Sequence, residues 1–324
     1  MTIKLSVACE SWPLAKPFTI SRGTKISADV VVVELTDVHG VKGRGECVPY
    51  PRYGETVEGV MEAIKTYSGN LDRMALNQSM AAGAARNALD CALWDLDAKQ
   101  SGKRVWDIAG LPTPEATITA ETIGIGEVEA MAEAARELAH APLLKVKLNT
   151  DKVITRMAGI RENAPTSRLI IDPNESWSFD LLKEVAGPLA DLGVEMLEQP
   201  LSADNDSELT GYDCPVPLCA DESCHTVDRL PELKDRYQMI NIKLDKTGGL
   251  TEAIELAQGA DKLGFGIMIG CMVGTSLAMA PATLLSPYAK FVDLDGPLLM
   301  KEDRKYGLDF TDGKVSPPEI ELWG

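Results

Sequence analysis

An α/β barrel preceded by a smaller α+β domain is the fold that this 324-residue sequence predicts, on three observations. Five apolar runs in its second half each end in charge: "PLLKVKLN" in Lys145 and Lys147, "RLIIDPN" in Asp172, "VEMLEQP" in Glu198, "VPLCADES" in Asp221 and "QMINIKLDKTGG" in Lys243. The charges at 147, 172, 198, 221 and 243 stand 25, 26, 23 and 22 residues apart. A strand, a helix and two loops need about that many, since a (β/α)₈ barrel spends roughly 250 residues on eight such units. Third, the first hundred residues follow a different pattern, with strands first and helices after.

The elements follow in chain order. "IKLSVACESWPL" alternates as a strand does, and "ADVVVVELTDVHGVKGRGEC" reads as two strands joined by a His-Gly turn. Between them, "KPFTISRGTK" reads as a polar loop carrying Arg22 and Lys25, and "VPYPRYGET" as a second loop. Helical periodicity runs from Thr56 to Tyr67, and an Ala-rich amphipathic helix occupies "SMAAGAARNALDCALWDLDAKQSGK", ending near Gly102. Punctuation at Leu111 to Pro114 separates a capping domain (1–113) from a barrel (114–300), with a tail at 301–324. Barrel strand one is expected in "ATITAETIGIG", a helix in "EVEAMAEAARELAHA", strand seven in "GFGIMIGCMVGTS" and strand eight in "AKFVDLDGP". The tail reads as a short hairpin returning to the cap.

Composition narrows the function. The net charge of −17 argues against nucleic acid and anionic membrane surfaces, and an anionic ligand must be caught by local cations. No apolar run is long enough for a signal or a membrane helix, so a cytoplasmic protein is expected. Seven cysteines, an odd number, fit a reducing compartment. Cys214, Cys219 and Cys224 with His225 suggest a metal site, but they straddle a strand and read better as small buried hydrophobes. His39, His140 and His225 have no partner pattern and receive no chemistry.

A single strand-end charge is ordinarily a solvated one; five in register are not. Asp172, Glu198 and Asp221 form a hard, all-oxygen set of the kind Mg²⁺ prefers, with Mn²⁺ as an alternative. Lys145, Lys147 and Lys243 flank that set around the ring. A lysine whose pKa is lowered by a cation and by a second lysine acts as a base near neutrality. Asn174 lies two residues after Asp172 and is placed to brace it. Glu222, beside Asp221, is expected to face the other way along the strand. Asp293 and Asp295 share one face of strand eight, which is costly without a neutralising cation. Gly248-Gly249 reads as a tight turn rather than a phosphate loop.

Together the Lys-x-Lys, Asp-x-Asn, Glu-Gln-Pro, Asp-Glu-Ser and Lys-x-x-Lys-x-Gly-Gly matches resemble the enolase superfamily, in its muconate-lactonising-enzyme subgroup, and within that the dipeptide epimerases. The resemblance runs from "KPFTISRGTK" to "FVDLDGP". It implies a (β/α)₇β barrel whose eighth helix is missing or displaced, with cap loops that choose the substrate. It also implies a Lys base beside Mg²⁺ stabilising an ene-diolate. By the same resemblance Asp293 and Asp295 hold the ammonium of a dipeptide, and Arg22 takes an anionic side chain, which points to L-Ala-D/L-Glu from peptidoglycan. The expected partner is a small dipeptide, with neither nucleic acid nor membrane, and a homo-oligomer is compatible with it. The runners-up are muconate cycloisomerase, N-succinyl amino acid racemase and o-succinylbenzoate synthase. Their substrates lack the ammonium, and Gly274 stands where cycloisomerases carry a carboxylate. A barrel that binds dipeptides without turnover would have no need of flanking lysines.

Overall fold

The computed structural model describes residues 3–324. Its larger part is an eight-stranded parallel sheet of short, mostly buried strands. These are β5 (Glu121–Ile123), β6 (Leu143–Lys147), β7 (Arg168–Asp172), β8 (Val194–Glu198), β9 (Leu218–Ala220), β10 (Met239–Ile242), β11 (Gly266–Ile269) and β12 (Phe291–Val292). They pair in sequence order from β5 to β12. The ring closes where Ala120 N donates to Val292 O at 2.8 Å. Helices α5 (Val128–Glu137), α6 (Val153–Asn163), α7 (Phe179–Asp191), α8 (Leu230–Leu233), α9 (Leu244–Thr247), α10 (Leu250–Lys262) and α11 (Ser276–Met279) lie in the connections, except between β8 and β9, where a 3₁₀ turn, Asp206–Leu209, stands in place of a helix. After β12 the chain makes only a 3₁₀ turn, Gly296–Leu299, so the eighth helix is absent and the barrel is (β/α)₇β.

Alternation along each strand decides where the chemistry sits. Ala120, Leu143, Ile170, Met196, Cys219, Met239, Met268 and Phe291, one from each strand position, form an apolar plug inside the ring. Their neighbours, such as Leu144, Leu169, Leu197, Ile240 and Val292, face outward into the main core beneath the helices. Successive strand side chains alternate faces, so the residue two positions beyond each plug residue also points inward, one layer nearer the carboxyl ends. Thr122, Lys145, Asp172, Glu198, Asp221, Asn241, Gly270 and Asp293 are those residues. The same spacing two further on reaches Lys147, Lys243 and Asp295.

The N-terminal part is a three-stranded antiparallel sheet, β1 (Lys4–Ile20), β2 (Gly23–Thr36) and β3 (Lys42–Cys47), backed by helices. The expected loop at "KPFTISRGTK" is instead the end of the β1–β2 hairpin. Register slips between Pro13 and Phe18, then pairing resumes as Phe18↔Lys25, Thr19↔Thr24 and Ile20↔Gly23, leaving Ser21 and Arg22 as the tip. A Pro-containing bulge followed by strand-forming Phe, Thr and Ile explains the difference.

α1 (Val57–Lys65) starts at Thr56, whose hydroxyl caps Gly59 N at 3.0 Å. The Ala-rich helix is shorter than the sequence suggests. α2 (Arg73–Ser79) ends where that helix was expected to begin, Gly83 breaks the chain at φ +142, and α3 (Ala84–Ser101) follows. Nor is α3 amphipathic; it is buried nearly all round. On one side Gly43 and Gly45 of β3 lie so close that a Cβ there would meet Ala92 O at 2.3 Å and Ala88 O at 2.1 Å. On the other side α3 faces the barrel.

The short α4 (Val105–Ala109) leads to β4 (Thr117–Ile118), the foot of strand one. There the tail hairpin, β13 (Phe310–Thr311) and β14 (Lys314–Val315), pairs with β4, so the hairpin meets the barrel rather than the cap. The last residues do reach the cap, as Trp323 Nε1 donates to Cys91 O and Gly324 N to Asp95. All seven cysteines are free thiols, and Cys219 belongs to the apolar plug. No helix among the described residues is long and apolar enough to cross a membrane.

Candidate active site

The inward layers bring the sequence-predicted charges into one buried cluster. Lys145 Nζ lies 2.7 Å from Asp293, 2.8 Å from Glu198 and 3.3 Å from Asp172. Lys147 pairs with Asp172 at 2.5 Å, and Lys243 with Asp221 at 2.5 Å and Glu198 at 3.6 Å. All seven of these side chains are at most 8% exposed as residues, so their charges act in a low-dielectric setting. Asn174 donates its backbone N–H to Asp172 Oδ1 at 2.8 Å and its side-chain amide to Oδ2 at 3.0 Å.

Electrostatics follow from those contacts. Burial alone raises Asp172, but Lys147, Lys145 and Lys243 outweigh it and hold the carboxyl near 2. Asp221 is likewise held well below the ordinary range, because Lys243 and Lys246 outweigh its burial. Glu198 is raised, by burial and by Asp172. Burial pulls Lys145 and Lys243 down, yet the surrounding carboxylates leave both well above the ordinary lysine value. Each of these two ammoniums faces two or more carboxylates, and that attraction exceeds both desolvation and the repulsion between lysines. Asp295 accepts from Thr122 N at 2.8 Å, and burial together with Asp293 raises its carboxyl to about 7.

The donor set suits a divalent cation. Asp172, Glu198 and Asp221 offer hard oxygens only. Among the described residues, Glu198 Oε2 and Asp221 Oδ1 are buried and accept no hydrogen bond, although lysine ammoniums stand 2.8 Å from each. Among the described residues no three such side chains close on one point, and the lysine ammoniums lie between them.

Several further residues, given no role by the sequence reading, hold these groups in place. Lys246, one turn beyond Lys243 in α9, is fully buried, ion-pairs with Asp221 Oδ1 and donates to the carbonyls of Asp221, Cys224 and Asn241. Asn241 donates to Glu198 Oε1 at 2.7 Å, and Gly270 leaves room for it, since a Cβ there would lie 2.6 Å from Asn241 Oδ1. Gln199, at φ +34, accepts from Asp221 N and Ser223 N and donates to Ser223 and Tyr237, stapling the ends of β8 and β9. Alternation places Asn241 in the inward layer and so could have found it. Lys246 and Gln199 stand in the Lys-x-x-Lys-x-Gly-Gly and Glu-Gln-Pro matches, but nothing local says what they touch.

The cap closes over this cluster. A cleft of about 60 Å³ is lined by Phe18, Ile20, Arg22, Lys25 and Tyr50 from the cap. The barrel contributes Lys147, Asn174, Asp221, Glu222, Lys243 and Met272. Glu222 does not turn away as expected: β9 ends at Ala220, so strand alternation no longer applies, and its carboxylate meets Arg22 at 2.7 Å. Burial and Asp221 raise Glu222 to about 8. Arg22 also donates to Tyr50 Oη, Asn174 O and Glu175. Behind Glu222 lies a larger polar cavity of about 530 Å³, lined by Arg52, Tyr53, Glu55 and His225, which holds none of the cluster lysines. His225 stacks edge-on against Tyr53 there, and burial lowers it to about 4.

A barrel with acids and lysines on its carboxyl-end layers, closed by an N-terminal cap, defines the enolase class of fold and site. The chain belongs to that superfamily: residues 2–110 match the mandelate racemase/muconate lactonizing enzyme N-terminal domain, and residues 127–321 the enolase C-terminal domain-like family. It is 50% identical over 312 residues to an L-Ala-D/L-Glu epimerase of Escherichia coli (strain K12), covering 94% of this chain and 97% of that one. It is 48% identical over 301 residues to an N-acetyl-D-glutamate racemase of a Pseudoalteromonas species, covering 91% and 95%. The crystal structure of an Agrobacterium tumefaciens enolase family member with homology to dipeptide epimerases superposes with a TM-score of 0.95. It is 47% identical, covers 100% of both chains, and contains bound sodium and L-Ala-L-Glu.

Proposed function

We propose that this chain is a metal-dependent dipeptide epimerase that moves a proton at the α-carbon of the C-terminal residue, acting on L-Ala-D/L-Glu. The observation that carries the reading is a pair of lysines, Lys147 and Lys243. They come from well-separated strands of the ring and line one cleft with three buried carboxylates between them. Two bases on opposite sides of one carbon invert it: one takes the α-proton, and the other delivers a proton to the opposite face. Lys145 stands beside both, within reach of the substrate carboxylate. When bound, Mg²⁺ held by Asp172, Glu198 and Asp221 would supply the positive charge that stabilises an ene-diolate and offsets the carboxylates around the lysines.

In this reading the amine end lies against strand eight: among the described residues Asp293 Oδ1 is buried without a hydrogen-bond partner, and Asp295, two residues on, would receive the ammonium with it. That pair favours a free amine over the acylated nitrogen of N-acetylglutamate, the competing reading raised by the racemase relative. Arg22 and Lys25 on the cap hairpin favour an anionic second residue. In this reading residues 1–113 cap, 114–300 catalyse, 301–324 tie the two together, and the enzyme recycles peptidoglycan fragments in the cytoplasm.

The test is deuterium uptake at the α-carbon of L-Ala-L-Glu, L-Ala-D-Glu and N-acetyl-D-glutamate in D₂O with Mg²⁺, read by mass spectrometry. Uptake with epimerisation of both dipeptides, faster than on the acetylated acid, is expected. Preferential turnover of N-acetyl-D-glutamate would overturn the dipeptide assignment.

A further inference from the structure

The Gly248-Gly249 pair closes the segment that carries Lys243, and helix α3 of the cap packs directly on it. Gly248 has φ +76 and Gly249 φ +118; a Cβ on the first would run into the Arg86 guanidinium and one on the second into the Asp90 carboxylate. Between Lys243 and these glycines α9 is a single turn of four residues, too short to hold its own shape. Its outside contacts therefore decide where Lys243 stands. Arg86 donates to the Thr247 carbonyl at 2.5 Å and to the Gly248 carbonyl at 3.1 Å, taking up the open end of the turn. Asn87, 1% exposed, donates its amide to Asp245 Oδ1 at 2.8 Å, and Val48 N of the cap donates to the same oxygen at 3.0 Å. A buried amide on a carboxylate is among the stronger hydrogen bonds, and this one is made two residues from Lys243.

Lys147 is mounted differently. Among the described residues its strand pairs with β5 and β7 alone, and beyond it Leu148 N donates to Asp172 O at 3.2 Å. Asn149 accepts from Arg156 at 2.6 Å and from Trp177 Nε1 at 2.9 Å, both of the barrel. The cap reaches this side through Ser21 and Arg22, which donate to the Asn174 carbonyl rather than to the segment bearing Lys147. The second anchor of the Lys243 turn is independent of α3: Lys246 Nζ is held by the carbonyls of Asp221, Cys224 and Asn241, all of the barrel. One base is gripped by the cap, and the other stands on the barrel.

We infer that Asn87 and Arg86 are positioning residues for Lys243 alone, so that helix α3 governs proton transfer on one face of the α-carbon and not on the other. The inference rests on the dipeptide epimerase reading. Helix α3 fixes the reach of the Lys243 ammonium to the carbon, and a misplacement of about 1 Å there costs up to roughly a hundred-fold in rate. Inversion uses both lysines, so a loosened Lys243 slows it by one factor in either direction. Exchange without inversion needs only the lysine on the hydrogen's own side. In D₂O that lysine already carries deuterons when it takes the proton, and it can return one of them to the same face.

The test follows the full-length, Mg²⁺-loaded enzyme in D₂O by NMR. L-Ala-L-Glu and L-Ala-D-Glu are assayed separately, for inversion and for deuterium washed into the epimer that has not inverted. Lys243→Ala identifies the epimer whose α-hydrogen faces Lys243. In Asn87→Leu, wash-in to that epimer is expected to fall roughly ten- to a hundred-fold, while wash-in to the other stays within about threefold of the parent. Inversion should fall by one factor in both directions. Arg86→Gln should repeat the pattern from the other end of the turn. The ratio of the two wash-in rates in one preparation is independent of how much enzyme is folded, so a merely structural loss leaves it unchanged. An unchanged ratio in either variant, or a loss confined to the Lys147 side, overturns the inference and leaves the epimerase intact. A parent enzyme that neither inverts nor exchanges either dipeptide removes the epimerase reading and this inference together.

Discussion

The two halves of the site are built on different terms. On the barrel side the acids and lysines of the inward layers are held at the strand ends by buried partners: Lys147 by Asp172, Lys243 by Asp221, Asp221 also by Lys246, Glu198 by Asn241. On the cap side the same cleft is finished by the end of one hairpin, held at a two-residue tip by Arg22 and carrying Lys25 beside it. The difference separates the chemistry, which every substrate shares, from selection, which distinguishes them. Changes on the barrel side should be indifferent to the second residue, and changes on the cap side should not.

The largest test of that division is removal of a base. Lys147→Ala and Lys243→Ala should each lower epimerisation roughly 10²- to 10⁴-fold, whichever dipeptide is used. Each variant should still wash deuterium into one epimer only, visible by NMR. Uptake from both epimers in either single variant would rule out a two-sided mechanism. Next in size is stripping the metal: exhaustive chelation should cost roughly 10²-fold or more, and Mg²⁺ should restore the rate. Full activity in the chelated enzyme would show that Asp172, Glu198 and Asp221 serve no ion.

A smaller effect is expected at the amine end. Asp295→Asn should lower kcat/KM about ten- to a hundred-fold on Ala-Glu and Ala-Gln alike, because both carry the ammonium. A loss confined to one of them would place Asp295 in selection and blur the division.

The smallest effect lies at the joint between the halves. Asp245 accepts from Val48 N at 3.0 Å and from the Asn87 amide at 2.8 Å, and burial raises it to about 7. Its native pKa lies above the unfolded value near 3.8, so the folded state holds the proton more tightly. That contribution is fullest below about pH 4 and is lost as pH rises through 7. Asp245→Asn keeps the accepting oxygen without the ionisation, so thermal melts should show the variant gaining a few degrees on the parent between pH 5 and pH 8. Parallel melting curves across that range would mean that Asp245 does not titrate there.

The sequence revealed the barrel's working face because strand alternation is a local rule. A charge two residues past a buried apolar side chain must point the same way, as Ile170 and Asp172 or Met196 and Glu198 do. What it concealed depends on contacts across the chain. Lys246 belongs to a helical turn after the strand, and only the folded barrel brings it to Asp221. Glu222 follows a strand that stops one residue earlier than the apolar run suggests, so its direction is set by Arg22, 200 residues away. The hairpin at Phe18–Lys25 was hidden by the Pro-containing bulge that precedes it. The burial of α3 was hidden by its polar residues, Asn87, Asp90 and Asp95, which read as a solvent face.

Those polar residues set a schedule for the protein's synthesis. Arg86, Asn87 and Asp90 find their partners in the turn after β10: Thr247 and Gly248 carbonyls, Asp245, and Thr251. Asn87 and Asp245 are 158 residues apart, and a ribosome adding 5–20 residues per second separates their emergence by roughly 8–30 s. For that interval the nascent cap carries a helix whose buried face is unsatisfied. The N-terminal part therefore completes these polar contacts only after the strand that also delivers Lys243 has been made.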